Sequence, residues 1–185
     1  MVFIDKDGNI RIKVVIYGPA RSGKTTLIKR IVELGKEFWR AHVRSIEDIE
    51  GNTLFFDFAP FQYKNRPLAL DMYTVPGKRI HLYQRETLLK GADVIIFVAD
   101  YQEDRLDDNL ASLEELERIV NSKIPVIIAL NKYDLVYRFP KEQFILKIPK
   151  NLNVKGILNT SAKLDYNVDK LFKSVIETAL SNFAP

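Results

Sequence analysis

Two stretches of this chain bring together residue types that chemistry uses in combination. Gly18-Pro19-Ala20-Arg21-Ser22-Gly23-Lys24-Thr25 has the spacing G-x-x-x-x-G-K-[ST]. Its glycines let the backbone curl so that successive N–H groups point at one centre, an arrangement that suits a phosphate. A helix opening behind the loop adds the positive end of its dipole. Lys24 is placed to reach the terminal phosphates, and the Thr25 hydroxyl to ligate Mg²⁺. Thr26 follows in the same turn. Further along stands Asn131-Lys132-Tyr133-Asp134. The Asp134 carboxylate can accept two hydrogen bonds, from guanine N1–H and its 2-amino group, a donor pair that adenine lacks. Asn131 would brace the loop and meet the base, while the aliphatic stem of Lys132 packs on its face. Thr160-Ser161-Ala162-Lys163 supplies a third piece. The Ala162 N–H is expected to meet the guanine oxygen, with Ser161 and Lys163 beside it. The expected ligand is GTP or GDP, with Mg²⁺.

These pieces need strands that end beside one another. Ile10 to Tyr17 is β-rich and stops at Gly18, and Leu27, Ile28, Ile31, Val32 and Leu34 then recur at helical spacing. Val2 to Asp5 pairs back through Lys6-Asp7-Gly8-Asn9, an Asp-Gly hairpin signal. Gly35 to Asn52 reads as a long polar loop. Thr53 to Phe58 and Leu68 to Val75 read as strands, with Asn65, Arg66 and Pro67 between them. Ile80 to Lys90 reads as a short helix. Asp93 to Ala99 and Pro125 to Leu130 are continuous apolar runs, as expected of parallel strands covered on both faces. Leu106 to Val120 carries a helical stripe, and Lys141 to Ile148 a weaker one. Gly156 to Asn159 is the last strand and Val168 to Leu180 the last helix. Alternating strands and helices predict an α/β doubly wound, mostly parallel sheet with an extra N-terminal β-hairpin. In such a sheet ligands bind beyond the carboxyl ends of the strands, where all three motifs fall.

A length of 185 residues predicts a single domain, residues 1–185. The absence of cysteine excludes a disulfide framework, a Cys-ligated metal site, a thiol nucleophile and a prenyl or palmitoyl anchor. Val2 excludes myristoylation, so no lipid anchor is expected. Two histidines argue against a His-rich metal centre. A net charge of +4, from 28 basic and 24 acidic residues, predicts a mixed-charge surface rather than a nucleic-acid binder. The first residues lack a signal-peptide core, and runs such as Val94 to Ala99 are too short to span a bilayer. The expected location is cytoplasmic.

The motifs resemble those of the Ras-like small GTPases over essentially the whole chain. A narrower resemblance lies in Thr53-Leu54-Phe55-Phe56-Asp57-Phe58-Ala59-Pro60, Tyr73-Thr74-Val75-Pro76-Gly77 and Val98-Ala99-Asp100. These look like the Mgl-type polarity GTPases of gliding bacteria and their prokaryotic relatives. The resemblance implies a P-loop NTPase with a Ras-like G domain, switching between GTP and GDP. It also implies a roadblock-fold (MglB-like) homodimer as activating partner, effectors that bind the switch loops, and a protein that is monomeric alone. Thr53 matches the switch I threonine that closes onto Mg²⁺, and Gly77 the switch II glycine that senses the γ-phosphate. Thr74 stands where most small GTPases have Asp, as it does in the Mgl-type family. Asp71, on the same strand, should face the other side and not substitute.

Three positions depart from a competent hydrolase. Lys78 stands where a glutamine normally orients the attacking water, and a charged lysine offers donors only. Asn52 replaces an arginine that serves the resembled family as an internal finger. Ala20 replaces a frequent glycine and places a methyl near the γ-phosphate. Unassisted hydrolysis is therefore expected at or below roughly 10⁻⁴ per second. Lys78, Arg79 or Arg21 would then stabilise γ-phosphate charge in a partner-dependent reaction. The alternative is an interaction module stabilised by guanine nucleotide with negligible turnover. Phe38, Trp39, His42 and Phe55 are candidate partner contacts.

Overall fold

The computed structural model describes residues 3–4, 6, 8–36, 39–40, 58–63, 67–76, 82–135 and 138–181. Its strands are β1 (Phe3–Ile4), β2 (Ile10–Tyr17), β3 (Trp39–Arg40), β4 (Phe58–Tyr63), β5 (Leu68–Thr74), β6 (Val94–Asp100), β7 (Pro125–Asn131) and β8 (Asn153–Asn159). The helices are α1 (Lys24–Leu34), α2 (Leu82–Leu89), α3 (Leu106–Ile119), α4 (Lys141–Leu146) and α5 (Val168–Ser181), with a 3-10 turn at Glu103–Arg105. The strands form one sheet in the order β3-β4-β5-β2-β6-β7-β8. From β5 to β8 every pairing is parallel, while β3–β4, β4–β5 and β1–β2 are antiparallel.

The period-2 alternation of β2 splits its side chains between two cores. Ile12, Val14 and Ile16 pack with Leu27, Ile28 and Ile31 of α1 and with Leu171 and Val175 of α5. Val15 and Tyr17 pack on the other face with Leu89 of α2, Leu113 and Leu116 of α3 and Phe144 of α4. Helices thus cover both faces, and β6 and β7 are buried at every position. That is why those two strands read as unbroken apolar runs.

The opening hairpin is present, with Phe3 opposite Arg11, Ile4 opposite Ile10, and Gly8 at φ +78° in the turn. β5 occupies one edge of β2 from Ile10 to Ile16. β1 therefore takes the other edge, below the point where β6 begins to pair at Val14.

Two expectations need correction. The strand expected to end at Phe58 runs on to Tyr63, and Phe58 is its first described residue. Residues 53–57 lie outside the described residues. Pro60 lies within the strand, where its missing N–H demands a free edge. It is accommodated because β3 pairs only with Gln62 and Tyr63, which leaves the outer edge at Pro60 without a described partner. The segment read as a loop from Gly35 to Asn52 contains β3, with Trp39 opposite Tyr63 and Arg40 opposite Gln62. Two residues are too few to show a period. Elsewhere bounds move slightly: β8 starts at Asn153, and α4 ends at Leu146. Among the described residues no helix is long and apolar enough to cross a membrane.

Candidate functional site

The loop after β2 departs from ordinary backbone geometry at three points. Gly18, Arg21 and Gly23 have φ of +144°, +64° and +96°. Both glycines are also needed for space. A Cβ on Gly18 would lie 2.3 Å from the Val98 carbonyl oxygen, and one on Gly23 would lie 2.4 Å from Asn131 Nδ2. Arg21 adopts the left-handed region without being glycine, which costs roughly 1 kcal/mol or more.

Side chains hold most of the loop's carbonyls. Lys24 Nζ donates to the carbonyls of Gly18 (2.9 Å) and Pro19 (2.7 Å). Arg105 Nη2 donates to the Ala20 carbonyl (3.0 Å), and Asn131 Nδ2 to the Ser22 carbonyl (2.9 Å). Carbonyl oxygens so engaged do not oppose an anion bound at the loop. α1 starts at Lys24 with no side chain capping its N-terminus, which suits an anionic ligand there. The buried Ser22 hydroxyl has no hydrogen-bond partner among the described atoms. The chemistry of this cradle fits a phosphate group. Thr25 is half-buried in the first turn of α1, and Thr26 is exposed. Among the described residues no three acidic or histidine side chains cluster as a metal site. Mg²⁺ commonly rests on one or two protein oxygens with phosphates and water, and the Thr25 hydroxyl fits that use.

Asn131, the last residue of β7, is almost fully buried. Its Nδ2 holds the phosphate loop while its Oδ1 accepts the Ala162 N–H (3.0 Å). One side chain thus ties the phosphate loop, 109 residues before it, to the loop at Ala162, 31 residues after it. The Ala162 amide, expected to meet guanine, is bonded to Asn131 here. Asp134 Oδ1 accepts from Ser161 Oγ (2.6 Å), which itself accepts the Leu164 N–H (3.1 Å). Lys132 has φ +67°, and its ammonium donates to Asp100 Oδ2 (2.7 Å). Lys163 contributes its carbonyl to Arg30 (3.4 Å).

The structure brings in residues that sequence reasoning missed as site residues. Arg30 of α1 donates to the Ala162 carbonyl (3.3 Å) and pairs with Asp165 (2.5 Å). Asp100 closes β6 with its carboxylate buried. The available signals were a charged residue ending a fully apolar run and its place in Val98-Ala99-Asp100. Arg105 carried none, because its role depends on a contact across 85 positions.

The switch residues fare differently. Thr53, Gly77 and Lys78 lie outside the described residues, as do Asn52, Arg79, Phe38, His42 and Phe55. Thr74 is buried at the end of β5, opposite Ile16. Asp71 is paired with Arg11 through two hydrogen bonds (2.9 and 2.7 Å). That engagement agrees with its expected inability to replace a metal-binding carboxylate at Thr74. Arg85 of α2 is 2% exposed, donates to the Pro76 carbonyl (2.8 Å) and pairs with Glu115 of α3. Glu115 also accepts from the Tyr17 hydroxyl. Burial, then the Glu115 bond, push the Tyr17 phenol well above its ordinary pKa.

Comparison with known proteins agrees with this geometry. A family model described as 50S ribosome-binding GTPase matches residues 13–132. The mutual gliding-motility protein MglA of Myxococcus xanthus is 34% identical over 159 residues, covering 80% of this chain and 78% of that relative. A Methanocaldococcus jannaschii protein of uncharacterised role is 28% identical over 145 residues, 74% of this chain and 84% of its own. The Ras-related protein Rab-32B of Dictyostelium discoideum is 25% identical over 195 residues, 94% of this chain and 67% of its own.

Proposed function

The chain belongs to the GTPase family, as a Ras-like small GTPase close to MglA, and we propose that it is a GTP/GDP switch that hydrolyses slowly unless assisted. The observation that carries the reading is the double engagement of Asn131, to Ser22 in the phosphate loop and to Ala162 in the base loop. It fixes the two halves of a nucleotide site against each other. In this reading the phosphate loop from Gly18 to Thr25 binds the phosphates, Lys24 neutralises the terminal ones and Thr25 holds Mg²⁺, joined by Thr53 in the GTP state. Asp134 selects guanine, with Asn131, Lys132, Ser161, Ala162 and Lys163 around the base. Gly77 senses the γ-phosphate. Residues 1–185 act as one cytoplasmic domain, monomeric alone. Effectors bind the switch loops.

Likeness to MglA supports a roadblock-fold homodimer as the activating partner. Lys78 and Asn52 support slow unassisted turnover, since neither offers what the usual glutamine and arginine contribute. Single-turnover phosphate release with and without such a partner tests the proposal. The expected free-protein rate is about 10⁻⁴ per second or less, rising with the partner. A fast rate from the protein alone would overturn it. The same two residues favour a second reading, a nucleotide-stabilised interaction module. Nucleotide extracted from purified protein separates the two: intact GTP favours the module, GDP the switch. Lys78→Gln is expected to raise the unassisted rate roughly tenfold to a hundredfold, by restoring a group that can orient water.

A further inference from the structure

The clamp on the phosphate loop is made by three side chains, and one of them is not part of any motif. Lys24 and Asn131 belong to the two nucleotide signatures. Arg105 comes from the 3-10 turn that precedes α3 and reaches the Ala20 carbonyl at 3.0 Å. A long, flexible cation holds such a position only if its other contacts fix it. Here Arg105 pairs with Asp108 at 2.6 Å, and its Nε lies 3.8 Å from Asp100 Oδ2.

Asp100 is itself over-determined. It is 1% exposed, so its charge requires partners. Oδ1 accepts from Gln102 Nε2 (2.8 Å) and Oδ2 from Lys132 Nζ (2.7 Å). Its backbone N–H and carbonyl both bond to the fully buried Asn109 side chain, each at 2.9 Å. A single fixed carboxylate therefore faces two cations. One, Lys132, lies in the base loop, and the other, Arg105, grips the phosphate loop. Without that negative charge the two half-buried cations would lose the buried carboxylate they share.

We infer that Arg105 is a positioning residue for nucleotide binding, and that Asp100 couples the base half of the site to the phosphate half by holding Lys132 and Arg105 at once. This rests on the guanine-nucleotide reading given above. Arg105 acts on the loop at Ala20 and not on the base, so its loss is felt according to how many phosphates the ligand has. Asp100 acts on both halves, so its loss is felt even by a nucleotide with one phosphate.

Stopped-flow release of fluorescently labelled GMP, GDP and a non-hydrolysable GTP analogue tests this. Wild-type protein is measured first, and failure to bind any of the three would sink the nucleotide reading itself. Given wild-type binding, Arg105→Gln is expected to speed release of GDP and of the GTP analogue roughly tenfold or more, the scale of one charge-assisted hydrogen bond. Release of GMP should change far less. Asp100→Asn is expected to speed release of all three. The double variant should fall short of the product of the two single effects, because both act through one linkage. For Arg105→Gln a general loss of packing predicts equal loss on all three ligands, and that outcome, or rates unchanged within about twofold in either single variant, overturns the inference. Should Arg105→Gln fail to fold, Arg105→Lys decides. It keeps the charge without the fork and is expected to lie between wild type and loss, with the same phosphate-dependent order.

Discussion

At the scale of single residues, Gly23 and Asn131 show how little freedom the site allows. A methyl on Gly23 would sit 2.4 Å from the amide that holds Ser22, on a backbone at φ +96°. Gly23→Ala should therefore break that bond as well as strain the loop. Calorimetric GDP affinity is expected to fall by about 2–3 kcal/mol, some thirtyfold to over a hundredfold. Asp134 is held by Ser161, so its carboxylate cannot readily swing aside. Asp134→Asn replaces one of two acceptor oxygens with a donor opposite guanine's N1–H and 2-amino group and should cost GDP about 1.5–3 kcal/mol, while a base with a 2-oxo acceptor in place of the 2-amino group loses less. Competition between GDP and xanthosine diphosphate measures the difference. These residues were legible in the sequence because their chemistry is written in contiguous positions. Arg105 and Arg30 were not, since an arginine far from any motif gives no sign of which loop it will hold.

At the scale of elements, a strand's apolar pattern revealed where it lay in the sheet better than where it began. β6 and β7 were legible almost residue for residue, since burial on both faces leaves no polar interruption. β4 was not, because Pro60 lies within it and β3 is too short to show a period. The helix behind the phosphate loop was legible, but its bond to the base loop was not. Arg30 joins α1 to the turn at Ala162–Asp165, where Asp165 and Asn167 have positive φ. Arg30→Ala should loosen that turn while leaving the fold intact. Hydrogen exchange is expected to quicken at residues 162–165, with about 1 kcal/mol of protection lost. An unchanged exchange rate there would show that the turn holds itself.

At the scale of the whole molecule, Arg85, Glu115 and Tyr17 form a polar cluster that joins α2, α3 and β2, with Arg85 also bonded to the Pro76 carbonyl. Arg85→Met would leave Glu115 without its cation at a mostly buried position. The expected loss is about 3 kcal/mol, or a melting temperature lower by roughly 6–12 °C for a chain of this size. Burial keeps the Tyr17 phenol neutral in the fold, so its pKa lies above that of the unfolded chain. Its contribution is fully present below the unfolded value of about 10 and is lost as pH rises beyond it. Urea midpoints should accordingly fall as pH rises above roughly 10, and Tyr17→Phe should flatten that fall. The outer edge of the sheet has a consequence of another kind. The chain contains a single tryptophan, Trp39, on the short strand β3 that pairs with β4 at Tyr63. Excitation at wavelengths that spare tyrosine therefore reads one place in the molecule, the border of the segment that carries Thr53. The protein carries one built-in optical label there, and a change in its emission on nucleotide exchange would report on that border without any modification of the chain.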